Sequence, residues 1–163
     1  MFSLKTVMYS ALIFAALGII PHVTRAEWSV ADAAPGMAGC GLETQEISLF
    51  DGYSDTRVRL SVADGALRVK TESNIDPGFN DLGMAVDGKT FMPADAVVDE
   101  KDVLFNSNID AVIDQFIRGN HVTVYLRFWP TYPATQRYEA RFSLAGFTRA
   151  YNDYKACSGK KSS

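Results

Sequence analysis

Hydrophobic and polar positions alternate through much of this chain, and where they stop alternating they recur at helical spacing. Val58, Leu60 and Val62 alternate with Arg57, Arg59 and Ser61, which predicts a half-buried strand over residues 56–62. Asp64-Gly65 supplies turn chemistry, and Leu67, Val69 and Thr71 then alternate with Arg68 and Lys70, so the two runs predict a hairpin with a basic outer face. A second hairpin is expected from residues 82–86 and 89–92 around Asp87-Gly88, a pair whose tolerance of positive φ suits a type I′ turn. Shorter apolar runs at 47–50 and 103–105 predict further strands, with Val97-Val98 bridging the acidic connection before the second of them. Residues 72–81, rich in Ser, Asn, Asp, Pro and Gly, read as a loop.

The best-patterned stretch is residues 107–157. Ile109, Val112, Ile113, Phe116 and Ile117 fall on one helical face, with Ser107 placed to cap the helix, Asp110 reaching back to it, and Gly119 placed to end it in a left-handed conformation. A strand over 121–129 then puts Val122, Val124, Leu126 and Phe128 on one face and Thr123, Tyr125, Arg127 and Trp129 on the other. Pro130-Thr131-Tyr132-Pro133 makes the turn, and the return strand 136–144 points Tyr138, Ala140, Phe142 and Leu144 inward against Arg137, Glu139 and Arg141 outward. Phe147, Ala150, Tyr151, Tyr154 and Cys157 recur at the spacing of a closing helix. These elements predict a mainly β fold: an antiparallel β-sandwich or partly closed barrel with one inserted short helix and a C-terminal helix.

Residues 1–26 stand apart from this pattern. Lys5 precedes the apolar run 7–20, and Thr24-Arg25-Ala26 follows it as a small-residue cleavage site, so this segment reads as a secretory signal peptide. The run is shorter than the roughly 20 residues a spanning helix needs, and no later stretch is apolar enough to span. The expected product is one β-rich domain over 27–157 with a flexible tail at 158–163, periplasmic or secreted. Removing the leader takes away Lys5 and Arg25 and no acid, leaving 14 bases against 19 acids. That balance gives no reason to expect nucleic-acid binding.

Export changes the reading of the two cysteines. In an oxidising compartment Cys40 and Cys157 are expected to bridge and tie the ends of the domain together. Two free thiols or metal ligation are the alternatives, and no second histidine or cysteine lies nearby to complete a metal site. Residues 27–41 read as a lead-in arm that the bridge and Trp28 pin to the body.

The strand Gly83-Met84-Ala85-Val86 running into Asp87-Gly88, the helix 109–119, the strand pair after it and the phrase Phe142-Ser143-Leu144-Ala145-Gly146-Phe147-Thr148-Arg149-Ala150 together resemble the invasion-associated locus B family of exported bacterial proteins. The likeness covers about residues 58–155 in order of elements and is specific in the final phrase. That family's cysteine pair between the Asp-Gly turn and the helix is absent here, since residues 95–108 contain none. The resemblance implies an all-β domain exported to the periplasm or beyond, linked in some pathogens to host-cell invasion, with no established enzymatic activity and no catalytic residues to carry over.

Candidate chemistry is sparse. His121 is the one histidine outside the leader, which leaves a single candidate base, and no Gly-x-Ser-x-Gly elbow accompanies it. Asp95, Asp99, Glu100 and Asp102 match no calcium loop. We therefore expect no enzyme, cofactor or metal. The binding candidates are Tyr125, Arg127, Trp129, Tyr132 and Arg137, the residue types that dominate interface hot spots. The other reading of these residues is structural, with Trp129 and Tyr132 covering the end of a barrel and the arginines pairing with loop acids. Eight bases on predicted strands (Arg57, Arg59, Arg68, Lys70, Lys89, Arg127, Arg137 and Arg141) would form one basic face if their strands were neighbours. The function expected is that of a non-enzymatic envelope or periplasmic accessory protein binding another protein or an envelope component, the alternative being an inhibitor or immunity protein that blocks a hydrolase.

Overall fold

The computed structural model describes residues 27–32, 40–130 and 136–159. The leader, Tyr132 and Pro133, and the end of the tail lie outside these residues. The described residues form eleven strands and two helices: β1 (Trp28–Asp32), β2 (Cys40–Thr44), β3 (Ile47–Phe50), β4 (Asp55–Ala63), β5 (Ala66–Thr71), β6 (Gly83–Val86), β7 (Phe91–Pro93), β8 (Ala96–Val98), β9 (Asp102–Phe105), α1 (Ile109–Arg118), β10 (His121–Leu126), β11 (Tyr138–Ser143) and α2 (Phe147–Gly159). They form two antiparallel sheets. The larger runs β1-β2-β4-β5-β9-β8 with β3 also on β4, and the smaller runs β11-β10-β6-β7. The arrangement is sandwich-like and does not close into a barrel.

The predicted alternation sets which side chains meet between the sheets. Val58, Leu60, Val62, Leu67, Val69 and Val103 of the larger sheet and Met84, Val122, Val124 and Leu126 of the smaller one are all buried. The Asp-Gly pairs of these two hairpins turn as expected: Asp64 and Gly65, like Asp87 and Gly88, have positive φ, and the Lys89 amide donates to the Val86 carbonyl at 3.0 Å. A third hairpin, β8 to β9, turns through Asp99 and Glu100 at φ 50° and 59° with no glycine at all. Its conformation is held from outside, because the Glu100 carbonyl accepts the Ile75 amide at 2.6 Å and the Glu100 carboxylate accepts the Asn74 side-chain amide at 2.9 Å.

β2 and β3 are one strand interrupted by a bulge. Glu43 pairs with Ser61 and Ile47 with Val58, so three residues oppose two. The Thr44 hydroxyl fills the gap by accepting the Leu60 amide at 2.9 Å. The lead-in arm is itself a strand, since β1 pairs with β2 along its whole length. Trp28 pins it: the indole is 2% exposed, packs edge-on against Phe147 and Phe116 at 4.8 and 6.1 Å, and donates to the Ser143 carbonyl at 2.9 Å.

Both ends of α1 differ from expectation. The helix is not capped by Ser107: Asn108 holds the N-cap position without a side-chain bond, and the Asp95 carboxylate, from across the chain, accepts the Asn106 and Ser107 amides at 2.6 and 2.9 Å. That carboxylate holds the segment just ahead of the N-cap and not the first amides of the helix. Gly119 is extended (φ −92°, ψ 168°) rather than left-handed. It is small for lack of room, because a Cβ there would come within 2.3 Å of Val86 Cγ1 and 3.0 Å of Leu144 Cδ1. Val112, Ile113 and Phe116 are buried as predicted, whereas Ile117 is exposed.

Candidate functional site

The outward positions of β10 and β11 are set by the register Tyr125 opposite Glu139 and Thr123 opposite Arg141. On the other side of β10, Tyr125 faces Gly83 of β6. The missing side chain at Gly83 lets the Phe91 ring lie across the strand, since a Cβ there would sit 2.5 Å from Phe91 Cζ. Phe91 therefore reaches Tyr125, ring centroids 5.9 Å apart, and the Arg137 guanidinium lies over the Tyr125 ring at 4.2 Å. Arg137 also pairs with Glu139 at 3.7 Å. The result is a short surface stack of ring, ring and cation.

Arg127 is engaged differently. Its Nε and Nη2 donate to the two carboxylate oxygens of Asp81 at 3.0 and 2.7 Å, and its guanidinium lies over the Phe79 ring at 4.3 Å. This fork clamps the 76–82 loop to the hairpin. Of the two readings weighed for the arginines, pairing with a loop acid holds for Arg127, while Arg137 sits on Tyr125. Trp129 is 62% exposed. Its amide is fixed by the Asn74 carbonyl at 2.8 Å, and the preceding Phe128 bridges to Ile75, so an anchored backbone presents a free indole face.

Two aromatic residues at this end were not singled out by the sequence. Phe50, the last residue of β3, and Tyr53, in the turn between β3 and β4, are 54% and 59% exposed. Asp51 ties that turn to Trp129's support, accepting the Tyr53 and Ser54 amides at 2.8 Å and the Ser73 hydroxyl at 2.5 Å. Ser73 adjoins Asn74, whose carbonyl holds Trp129. The signal was present as aromatic residues flanking Asp51-Gly52, but only the loop contact brings them to the hairpin.

The eight bases do not share one face. Arg57, Arg59, Arg68 and Lys70 lie on β4 and β5 of the larger sheet, while Lys89, Arg127, Arg137 and Arg141 belong to the smaller sheet and its turn. Arg57 is bonded to Glu72 and pairs with Glu46, and Arg59 pairs with Glu43 and Glu46, which neutralises half of the first group. A face with that much local compensation has no strong field for an anion.

The remaining candidate chemistry is absorbed by local structure. Asp87, the acid beside His121, accepts the backbone amides of His121 and Asn120, and those bonds hold its carboxyl below the usual carboxylate range. The Ser107 hydroxyl and amide and the Asn106 amide do the same for Asp95. Among the described residues, no three metal-ligating side chains converge. Nor is any helix among them long and apolar enough to cross a membrane. Cys40 and Cys157 stand at disulfide distance with Cα atoms 6.1 Å apart, joining the start of β2 to the end of α2.

Arg127 also holds the Asp81 carboxyl below its ordinary range. A depressed carboxyl stabilises the fold fully above its unfolded pKa of about 3.9 and loses that contribution as pH falls through the folded value. Thermal unfolding followed from neutral pH down to about pH 2 should therefore show a smaller acid loss in Arg127→Ala than in the parent protein. Equal losses would mean the fork contributes nothing to the native state.

No family model matches the chain, and no curated protein matches it. Among solved structures it is similar to the crystal structure of invasion associated protein B from Bartonella henselae, at 19% sequence identity over 80% of this chain and 92% of that one, with a TM-score of 0.48. The likeness is distant and is one of structure.

Proposed function

We propose that this chain is an exported, non-enzymatic protein, a divergent relative of the invasion-associated locus B proteins, that binds another protein or an envelope component through the outer face and tip of the β10–β11 hairpin. One observation carries the reading: Trp129 is largely exposed on a backbone fixed from two sides, beside the Phe91–Tyr125–Arg137 stack. Holding an apolar ring in water on an ordered strand end gives the monomer little and lowers the entropy lost on binding. Tyr, Trp and Arg are also the residues that most often dominate a contact. The leader pattern and the cysteine pair at disulfide distance support export. The non-enzymatic reading is supported at His121, whose neighbouring acid is spent on backbone amides.

Capture from an envelope extract with the parent protein and with Trp129→Ala/Arg137→Ala tests this. Both side chains are on the surface, so the variant should keep its stability to within about 0.5 kcal/mol and lose its partner. A folded variant that retains every captured component would overturn the proposal. Recovery of one hydrolase, inhibited stoichiometrically, would identify the partner and the role as inhibition.

A further inference from the structure

The hairpin that carries the stack also ends the smaller sheet, and among the described residues its outer strand has an unused edge. Among the described residues β11 pairs only with β10. The Leu144 amide donates to the Asn120 carbonyl, and by the antiparallel alternation Phe142, Ala140 and Tyr138 also bond inward to β10. Glu139, Arg141 and Ser143 therefore direct their backbone groups away from the sheet. The Ser143 carbonyl is capped by the Trp28 indole. Among the described residues the amides and carbonyls of Glu139 and Arg141 have no partner strand, and a shallow groove of about 160 Å³ runs beside this edge between residues 141–143 and 44–47.

We infer that this edge joins two copies of the chain, β11 against β11 in antiparallel register about a two-fold axis through Ala140. Edge pairing requires residues with outward backbone groups to face one another, which restricts the register to a few choices. The choice centred on Glu139 would oppose Glu139 to itself and Arg137 to Arg141 of the second copy. The choice centred on Arg141 would oppose Arg141 to itself. Only the choice centred on Ala140 sets Glu139 opposite Arg141 of the second copy, twice by symmetry, while Tyr138 meets Phe142 on the inner face. Like charges directly opposite destabilise a strand pair and opposite charges support it, so the sequence Tyr138-Glu139-Ala140-Arg141-Phe142 selects one register against its neighbours. The contact is isologous and closes on itself, which makes a dimer rather than a fibre. It extends the smaller sheet from four strands to a continuous double sheet carrying both stacks.

One strand of six residues gives four backbone hydrogen bonds and an interface short of the roughly 1,000 Å² of a stable complex, so the dimer is weak and concentration-dependent. The internal pair Arg137–Glu139, exposed on both sides, competes little.

Sedimentation velocity of the mature protein over a series reaching millimolar concentration should show a monomer–dimer equilibrium. Glu139→Arg and Arg141→Glu each convert both symmetric contacts to like-charge pairs and should weaken association by roughly tenfold or more. The double variant Glu139→Arg/Arg141→Glu restores opposite charges and should recover association to within a few-fold of the parent. A parent protein monomeric throughout the series would overturn the inference, and so would a double variant as weak as the singles. A different partner for this edge would correspond to the first of these outcomes. Dimerisation does not depend on the proposed partner, and Trp129→Ala should leave it unchanged.

Discussion

Phe147→Ala is expected to destabilise the protein by about 3–5 kcal/mol, read as a shift of the urea midpoint at unchanged slope. Phe147 is fully buried, and three aromatic rings lean on it: Trp28 at 4.8 Å, Phe116 at 5.3 Å and Tyr151 at 5.6 Å. These rings come from β1, α1 and α2 itself, so removing the central one leaves a cavity where three elements meet. Trp28 is tied to the Ser143 carbonyl and cannot follow the deleted ring without giving up that bond. The cost should therefore fall at the upper end for a large-to-small change. A loss below about 1 kcal/mol would mean that the arm and the two helices do not share a core.

Removing the cysteine pair should cost nearly as much. Cys40→Ser/Cys157→Ser opens a loop of 117 residues, and the chain-entropy model puts such a bridge near its upper range, with measured values typically about 2–4 kcal/mol. The effect should vanish when parent and variant are compared under reducing conditions, because the reduced parent then has the same chain entropy. A variant as stable as the oxidised parent, or a mature parent whose mass is unchanged on reduction, would contradict a bridge. Since Cys40 opens β2, the strand that β1 pairs with, and Cys157 lies near the end of α2, loss of the bridge should loosen the arm and the last helical turns first.

The sequence made the hairpins legible because three of their turns carry Asp-Gly and the strands flanking Asp64-Gly65 bury one face cleanly. Helix positions were legible for the same reason at a different period: Val112, Ile113 and Phe116 face one core. What escaped depends on contacts between distant residues. β1 has no strand pattern of its own and is held by pairing to β2 and by Trp28. The β8–β9 turn has no glycine and relies on the 74–75 loop. The segment ahead of α1 is held by Asp95, outside the helix, and Gly119 answers a crowded approach of Val86 and Leu144 rather than a turn.

At the candidate site, alternation correctly placed Tyr125, Arg127 and Trp129 on the outward face, and it separated none of their roles. Arg127 is committed to Asp81, a residue 46 positions away, so no local pattern marks it as a clamp. Arg137 and Tyr125 form a stack whose third member, Phe91, arrives only because Gly83 leaves space. Phe50 and Tyr53 reach the same end through Asp51 and Ser73. Tyr132 lies outside the described residues. The basic face failed because the strands carrying it belong to different sheets and because Glu43, Glu46 and Glu72 stand beside Arg57 and Arg59.

The chain has two tryptophans in opposite settings, Trp28 buried under the helices and Trp129 exposed at the hairpin end. Fluorine NMR of protein labelled with 5-fluorotryptophan reports each indole separately in the presence of an unlabelled envelope extract. Binding through the hairpin face predicts that the Trp129 resonance shifts or broadens as extract is added while the Trp28 resonance stays in place. A Trp129 resonance that is unmoved at extract concentrations where a partner is captured would contradict the assignment of the binding surface to this hairpin.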